Sequence, residues 1–206
     1  MAWKNAICWI LDQFLEELLK LAEQLGCIDA QRLSVDGFFS SGSGGGEQVD
    51  YGYKGKGVTS HLLVEKSGKP LAITFTSASG DEKKQVIPLL RKVIPFIKKA
   101  WNQGKVPILE ADKGYDSEQT RIDVLSHEVF PLIARKRNTK GYKIKGICYL
   151  EKQRWVIERT ISWLKTCFRR LTVRWERKAI YWNGLLMFGL LGYWMNFLSR
   201  QVSLKQ

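Results

Sequence analysis

The order in which two hydrophobic periodicities follow one another does most to restrict the folds open to this chain. Residues 32–39 (RLSVDGFF) alternate, with Leu33 and Val35 on one side and Ser34 and Asp36 on the other, as a strand does. Residues 61–64 and 70–76 (PLAITFT) are two more strand-like runs, separated by EKSGK, which reads as a hairpin turn. Three adjacent antiparallel strands are therefore expected. Residues 81–101 change to helical period through Val86, Leu89, Leu90, Val93, Phe96 and Ile97, with Pro88 and Pro95 placed to bend or divide the helix. A short apolar run at 106–111 (VPILEA) then ends at Asp112, and a helix at 117–127 and a strand at 129–134 (VFPLIA) follow. Such alternation adds a parallel portion to the antiparallel start, and predicts an α/β domain with a mixed sheet of three antiparallel strands plus two more.

Two helical segments flank this unit. Residues 5–25 are amphipathic, with Ile7, Ile10, Leu11, Phe14, Leu18, Leu21 and Leu25 on one side and Asp12, Glu16, Glu17 and Glu23 on the other. Leu11, Leu18 and Leu25 span two heptads, too few for a coiled coil, so the helix is expected to pack on the domain and end at Gly26. The acids and Lys20 also argue against a secretory signal, and the expected location is cytoplasmic. Residues 179–199 carry no charge, and IYWNGLLMFGLLGYWMNFL would span about 28 Å as a helix, close to a bilayer core. Asn183, Asn196, Gly184, Gly189 and Gly192 lower its hydropathy, and a buried terminal helix is expected rather than a membrane span. The organisation expected is thus an N-terminal amphipathic helix at 1–30, a central α/β domain at 31–178, and an apolar helix at 179–206 packed on it. The glycine-rich run SGSGGGEQ at 41–48 matches neither GxGxxG nor GxxxxGK followed by Ser or Thr, so it reads as a flexible connector and no nucleotide is expected.

The net charge is +13, and residues 135–178 hold fifteen Lys and Arg against three Glu, so nearly all of the excess is local. Trp155, Trp163, Phe168 and Trp175 interleave these cations, which suits a nucleic acid better than a small acidic substrate. An anionic membrane surface is the competing partner. Within 154–177 (RWVIERTISWLKTCFRRLTVRWER), Ile157, Ile161, Leu164, Phe168 and Leu171 form one helical stripe, and Arg154, Glu158, Ser162, Lys165 and Arg169 another. An ordinary helix would pair Arg154 with Glu158 for about 0.3–0.5 kcal/mol. Four cysteines without CxxC spacing and only two histidines leave carboxylates as the candidate metal ligands, and hard oxygens suit magnesium or manganese. Asp36 and Asp112 would lie on adjacent strands if the first and fourth strands pair, with Glu158 reaching them from a packed helix. Like charges so placed need cations, and two divalent ions about 3.5–4 Å apart would serve phosphodiester chemistry.

The element order, together with SVDGFF around Asp36, YGYKGKGVTSHLLVEKSGKPLAITFTSASGDE at 51–82, ILEADKGYDSEQTR around Asp112 and the ERT-x-SWLK-x-x-x-RRL block around Glu158, resembles insertion-sequence transposases of the DDE type, which have a ribonuclease H-like fold. The resemblance implies Asp36, Asp112 and Glu158 as the catalytic, metal-binding triad, with two Mg2+ or Mn2+ ions. It implies cleavage at the ends of an insertion element and transfer of the freed 3′-hydroxyl into target DNA. Of that family's tyrosine, arginine, glutamate and lysine pattern, Arg154 and Lys165 match as DNA contacts, whereas the tyrosine's slot holds Glu151, with Tyr149 two residues earlier. Arg159, Arg169, Arg170, Lys54 and Lys56 are further expected DNA contacts. The implied partners are terminal inverted repeats, target DNA, a second copy on DNA, and an N-terminal DNA-binding segment from an upstream frame, since only about thirty residues precede the first strand. The alternative is a non-catalytic DNA-binding or inhibitory protein derived from such an enzyme, or a truncated, inactive fragment of one.

Overall fold

The computed structural model describes residues 2–135 and 155–203, apart from the side chains of 2–8 and 202. Its centre is a mixed sheet built on β1 (Arg32–Ser41). The long strand β3 (Gly55–Glu65) pairs antiparallel with β1, from Leu33 opposite Glu65 to Ser41 opposite Gly57. β4 (Pro70–Ser77) adds antiparallel to the far edge of β3. On the other edge of β1, β5 (Ile108–Ala111) runs parallel to it, and β6 (Phe130–Ile133) runs parallel to β5. The order β4-β3-β1-β5-β6, with three antiparallel strands followed by two parallel ones, is the expected ribonuclease H-like sheet.

A short strand, β2 (Asp50–Gly52), was not expected. It shares the β4 edge of β3 and closes a two-residue hairpin at Tyr53 and Lys54. Four glycines between 52 and 68 and two lysines near its turn hide any period in that stretch. The turn between β3 and β4 is organised by a buried acid: the Glu65 carboxylate accepts from the N–H groups of Ser67 (2.9 Å) and Lys69 (3.1 Å) and from that of Asp29 (3.3 Å). Chain reversal at that point therefore leaves no unpaired amide for the acid to compete with.

Helices cover both faces. Pro88 and Pro95 each fall in a first turn, where a missing N–H costs nothing, and so they divide the expected long helix into α2 (Val86–Arg91) and α3 (Ile94–Asn102). The helix α4 (Glu118–Ser126) starts at Ser117, whose hydroxyl accepts from the Thr120 N–H at 3.1 Å. α6 (Ala179–Ser203) buries Trp182, Leu186, Leu190, Trp194 and Leu198, and the Trp194 indole donates to the Pro70 carbonyl at 2.6 Å. Its apolar length is explained by this burial; no described helix is long and apolar enough to cross a membrane. α1 (Ala2–Gln24) lies along α6 and forms ion pairs with the α2 and α3 region, Asp12 with Lys92 at 3.4 Å and Glu23 with Lys99. Its buried stripe is Leu11, Leu15, Leu19 and Ala22, while Ile10, Phe14 and Leu21 of the expected stripe are exposed. Two apolar arcs are available on this helix, and packing against α6 selects between them.

Two further expectations are corrected. The helix α5 (Trp155–Cys167) does not continue to Arg177; a 3-10 turn at Arg169–Leu171 follows it. There the Leu171 carbonyl accepts from the buried Ser40 hydroxyl (2.6 Å), Val173 bridges to Ser41, and the Arg174 N–H donates to the Ser41 carbonyl (2.7 Å), so the backbone beyond Phe168 joins the end of β1. The glycine-rich segment is not a loose connector either. Glu47 N–H donates to the Arg177 carbonyl (2.7 Å), the buried Arg174 guanidinium donates to the Glu47 carbonyl (2.7 Å), and the Glu47 carboxylate accepts from the Ala179 N–H (2.8 Å) at the start of α6. Gly46, at φ +130°, lies so close to Arg177 that an added Cβ would stand 2.5 Å from its carbonyl oxygen.

Candidate active site

The last paired residues of β1 and β5 are Val35 and Ala111, and the next residue on each strand is an aspartate, Asp36 and Asp112. Parallel register thus sets the two carboxylates at one step of the sheet, at the end where β5 stops. Each is held locally by a neighbouring amide: Gly37 N–H donates to Asp36 at 2.8 Å, and Lys113 N–H to Asp112 at 2.6 Å. Asp112 is also the cap of the 3-10 turn Lys113–Tyr115. By the two-residue alternation, Ser34, Asp36, Phe38 and Ser40 share one face of β1. Contacts on that face bear this out, because the Ser34 hydroxyl donates to Glu110 at 3.4 Å and the Lys165 ammonium of α5 stands 5.9 Å from the Phe38 ring centre.

Other acids near the pair are engaged elsewhere. Buried Glu110 accepts from Arg32 (Nε to Oε1, 2.6 Å), a pair that locks β1 to β5 below the aspartates. Asp116 is buried against Arg121 at 2.8 Å, and the same guanidinium donates to the Ile133 carbonyl at 2.6 Å, tying α4 to β6. Asp123 accepts from Gln119 at 2.7 Å. Asp112, which directly follows β5, is the acid of ADKGYDS set at the sheet end beside Asp36.

A carboxylate that the sequence did not single out joins the site. Glu82, in the 3-10 turn Glu82–Gln85, lies over the turn that follows Asp112; a Cβ on Gly114 would stand 3.6 Å from its Oε2. Loss of water around it is the main influence on the Glu82 carboxyl; the Lys54 ammonium opposes that influence, and the negative charges of Asp36, Asp112 and Asp81 add to it. The result is a carboxyl held above the ordinary range. Nothing periodic marks Glu82; its place follows from the crossover between β4 and α2.

α5 approaches from the face that Asp36 and Phe38 occupy. Thr160 donates to the Val156 carbonyl (3.1 Å) and is also bonded to the Gly68 carbonyl, and Arg159 donates to the Ser67 carbonyl (2.7 Å), so the first turns of α5 rest on the turn between β3 and β4. The Arg159 guanidinium also covers the Trp155 ring at 4.8 Å. Glu158 is in the first turn and exposed, two residues from both Val156 and Thr160 and therefore on the other side of the helix from Gly68. Among the described residues no three acid, His or Cys side chains are gathered closely enough to hold a metal ion, so Glu158 is not drawn into one group with Asp36 and Asp112. Arg169 is exposed in the 3-10 turn, off the helical stripe, and Arg170 pairs with Glu176. Lys54 is at the tip of the β2 to β3 hairpin and Lys56 follows on β3, 5.8 Å from the Tyr51 ring centre. Arg154 and Glu151 lie outside the described residues.

The donor set of Asp36 and Asp112, two hard carboxylates at one register step whose charge is felt at a third carboxyl, suits a divalent cation of the magnesium type. Comparison with other proteins assigns the chain to a family. Residues 20–188 match the family described as the transposase DDE domain. A Burkholderia cepacia protein named "Putative transposase for insertion sequence element IS402" is 35% identical over 141 residues, 68% of this chain and 64% of that protein, so the shared stretch spans less than two thirds of the relative. Among solved structures, a piggyBac transposase synaptic complex with hairpin DNA superposes with a TM-score of 0.46 at 11% identity, over 81% of this chain and 45% of that one. The Mos1 transposase catalytic domain with raltegravir and magnesium gives 0.36 at 13%, over 90% of each chain. Likeness at those scores carries no weight in the assignment, which rests on the sequence matches and on the strand order. On those two grounds, the chain belongs to the transposase DDE domain family.

Proposed function

We propose that this chain is a DNA transposase that cleaves strands at the ends of an insertion element and joins the freed 3′-hydroxyl to target DNA, with Asp36, Asp112 and Glu158 as its catalytic acids. The observation that carries this reading is the placement of Asp36 and Asp112 at one step of adjacent parallel strands, inside the segment that matches the family. Glu158 is assigned to the trio by the ERT-x-SWLK block and by its position on the helix that packs over the aspartates' face.

Mg2+ or Mn2+ held by Asp36 and Asp112 would supply Lewis-acid stabilisation of a phosphodiester and lower the pKa of attacking water. The chain's own groups do the rest. The two aspartates, fixed by the amides of Gly37 and Lys113, hold their oxygens in place before substrate arrives. Lys165, directed at the Phe38 end of the same face, would neutralise a phosphate beside the scissile bond. In the first step a water oxygen forms a bond to phosphorus and the 3′-oxygen leaves with a proton. In the second, that 3′-hydroxyl attacks a target phosphodiester and a target 3′-oxygen leaves, so the number of P–O bonds is unchanged and no nucleotide is consumed. The DNA partners would be the element's ends and the target, and joining two ends in one event favours a pair of protein copies on DNA.

The test is strand cleavage of the DNA that flanks this gene, with Mg2+ or Mn2+ present. Asp112→Asn is expected to abolish cleavage and leave DNA binding in place. Full cleavage and strand joining by that variant would overturn the assignment of the acids, and binding without metal-dependent cleavage by the parent protein would favour a non-catalytic, DNA-binding derivative instead.

A further inference from the structure

The hairpin formed by β2 and the start of β3 is fixed in place yet adds little to the core. Tyr53 at its tip is 105% exposed and Tyr51 is 71% exposed, an unusual setting for two adjacent large rings. Three attachments keep the hairpin from collapsing onto the surface. The Asp50 carboxylate accepts from the Ser79 hydroxyl and from the Tyr51 N–H (2.8 Å). The backbone of Gly52 lies against Ala78, where an added Cβ would stand 2.2 Å from the Ala78 carbonyl oxygen. On the inner side, Gly42 N–H donates to the Lys56 carbonyl at 3.0 Å and Ala78 N–H to the Gly57 carbonyl at 3.1 Å.

Cations alternate with the rings. Lys56 pairs across the ladder with Tyr51, and its ammonium is 5.8 Å from that ring's centre. The hairpin leans on Ala78 and Ser79, which lead directly into the turn of Glu82, and the Glu82 carboxylate lies over Gly114, two residues beyond Asp112; Lys54, next to Tyr53, acts by its charge on the same carboxylate. The hairpin tip therefore stands at the rim of the aspartate site. Exposed rings interleaved with ammonium groups match a single strand, whose bases offer flat faces and whose phosphates offer charge.

We propose that Tyr51 and Tyr53 are a stacking platform for unpaired DNA bases next to the scissile phosphate, with Lys54 and Lys56 holding the flanking phosphates. This rests on the transposase reading for the identity of the strand. The platform takes a single strand because a paired base has both faces covered by its neighbours, whereas an unstacked one can lie on a ring. Its role is positioning: it would hold the strand that leaves the aspartate site.

Binding is measured by fluorescence anisotropy of a dye-labelled sixteen-nucleotide oligodeoxythymidine strand with the full chain in EDTA, so that cleavage plays no part. Tyr51→Ala with Tyr53→Ala is expected to weaken binding about tenfold or more, whereas Tyr53→Trp keeps it. The loss should vanish on a strand of abasic sites, and a duplex of the same length should show little of it. Melting temperature confirms that each variant is folded, which the full exposure of Tyr53 favours. Unchanged affinity in the double alanine variant, an equal loss on abasic or duplex DNA, or tighter binding of the matching RNA strand would each overturn the platform. Metal-dependent cleavage by the parent protein is scored separately: cleavage without tyrosine-dependent binding removes only the platform, and tyrosine-dependent binding without cleavage removes only the transposase reading.

Discussion

His61 shows how far the fold changes a single side chain. It is fully buried on the face of β3 opposite Lys56, with Nδ1 3.4 Å from the Tyr115 hydroxyl and Nε2 3.0 Å from the Thr76 hydroxyl, and burial lowers its pKa from 6.5 to about 4. The neutral ring is thus the native form. Above pH 6.5 folded and unfolded chains both hold it neutral, and its contribution is intact; between 6.5 and about 4 only the unfolded chain takes up the proton, so stability falls with pH by up to roughly 3 kcal/mol. Thermal melts of the parent protein across that window should show this decline, and His61→Gln should flatten it whatever its baseline stability. At the same level of detail, Asp36 and Asp112 could be read from sequence because one alternates within a recognisable strand and the other directly follows one. Glu82 could not, since its neighbours belong to a turn some thirty residues away in sequence. Lys165 was legible from its spacing to Glu158, and its position by Phe38 leads to a second expectation: Lys165→Ala should lower DNA affinity severalfold, measured by anisotropy, with the melting temperature almost unchanged.

Among the elements, every strand but β2 followed from alternation or a short apolar run, and the division into α2 and α3 from proline placement, because these are local signals. The glycine-rich segment and the end of α5 were misread for the opposite reason. Glu47, Gly46 and Ser41 find their partners at Arg174, Arg177 and Ala179, about 130 residues later, and no local pattern announces a bond of that range. Gly46→Ala tests whether this clasp matters. With φ at +130° and the Arg177 backbone 2.5 Å from the new Cβ, it should destabilise the fold by about 1–3 kcal/mol, read as a lower urea midpoint. Gly44→Ala, where nothing lies within 4 Å, should cost little. The terminal helix behaves as a core element: Trp194 is fully buried and bonded to Pro70, so Trp194→Ala should destabilise by about 3–5 kcal/mol in the same assay.

The whole molecule carries +13, concentrated after residue 135, and its partner should be recognised largely by charge. Of the candidate DNA contacts among the described residues, Arg159 and Arg170 already serve Ser67 and Glu176, which leaves Lys54, Lys56, Lys165 and Arg169 expected to meet phosphates. If each displaces one counterion from duplex DNA, log affinity should fall against log salt with a slope of about −4, and a slope near zero would mean that these cations do not face DNA. Strand register sets Asp36 and Asp112 at the sheet end, and these two acids are proposed to hold the reactive metal there. Metal rescue tests this most directly. Asp112→Cys, assayed for cleavage of the element's ends, should be inactive in Mg2+, which avoids sulfur, and regain activity in Mn2+, which accepts it. Equal activity of this variant in the two metals, or of Asp112→Asn and the parent protein, would contradict the account.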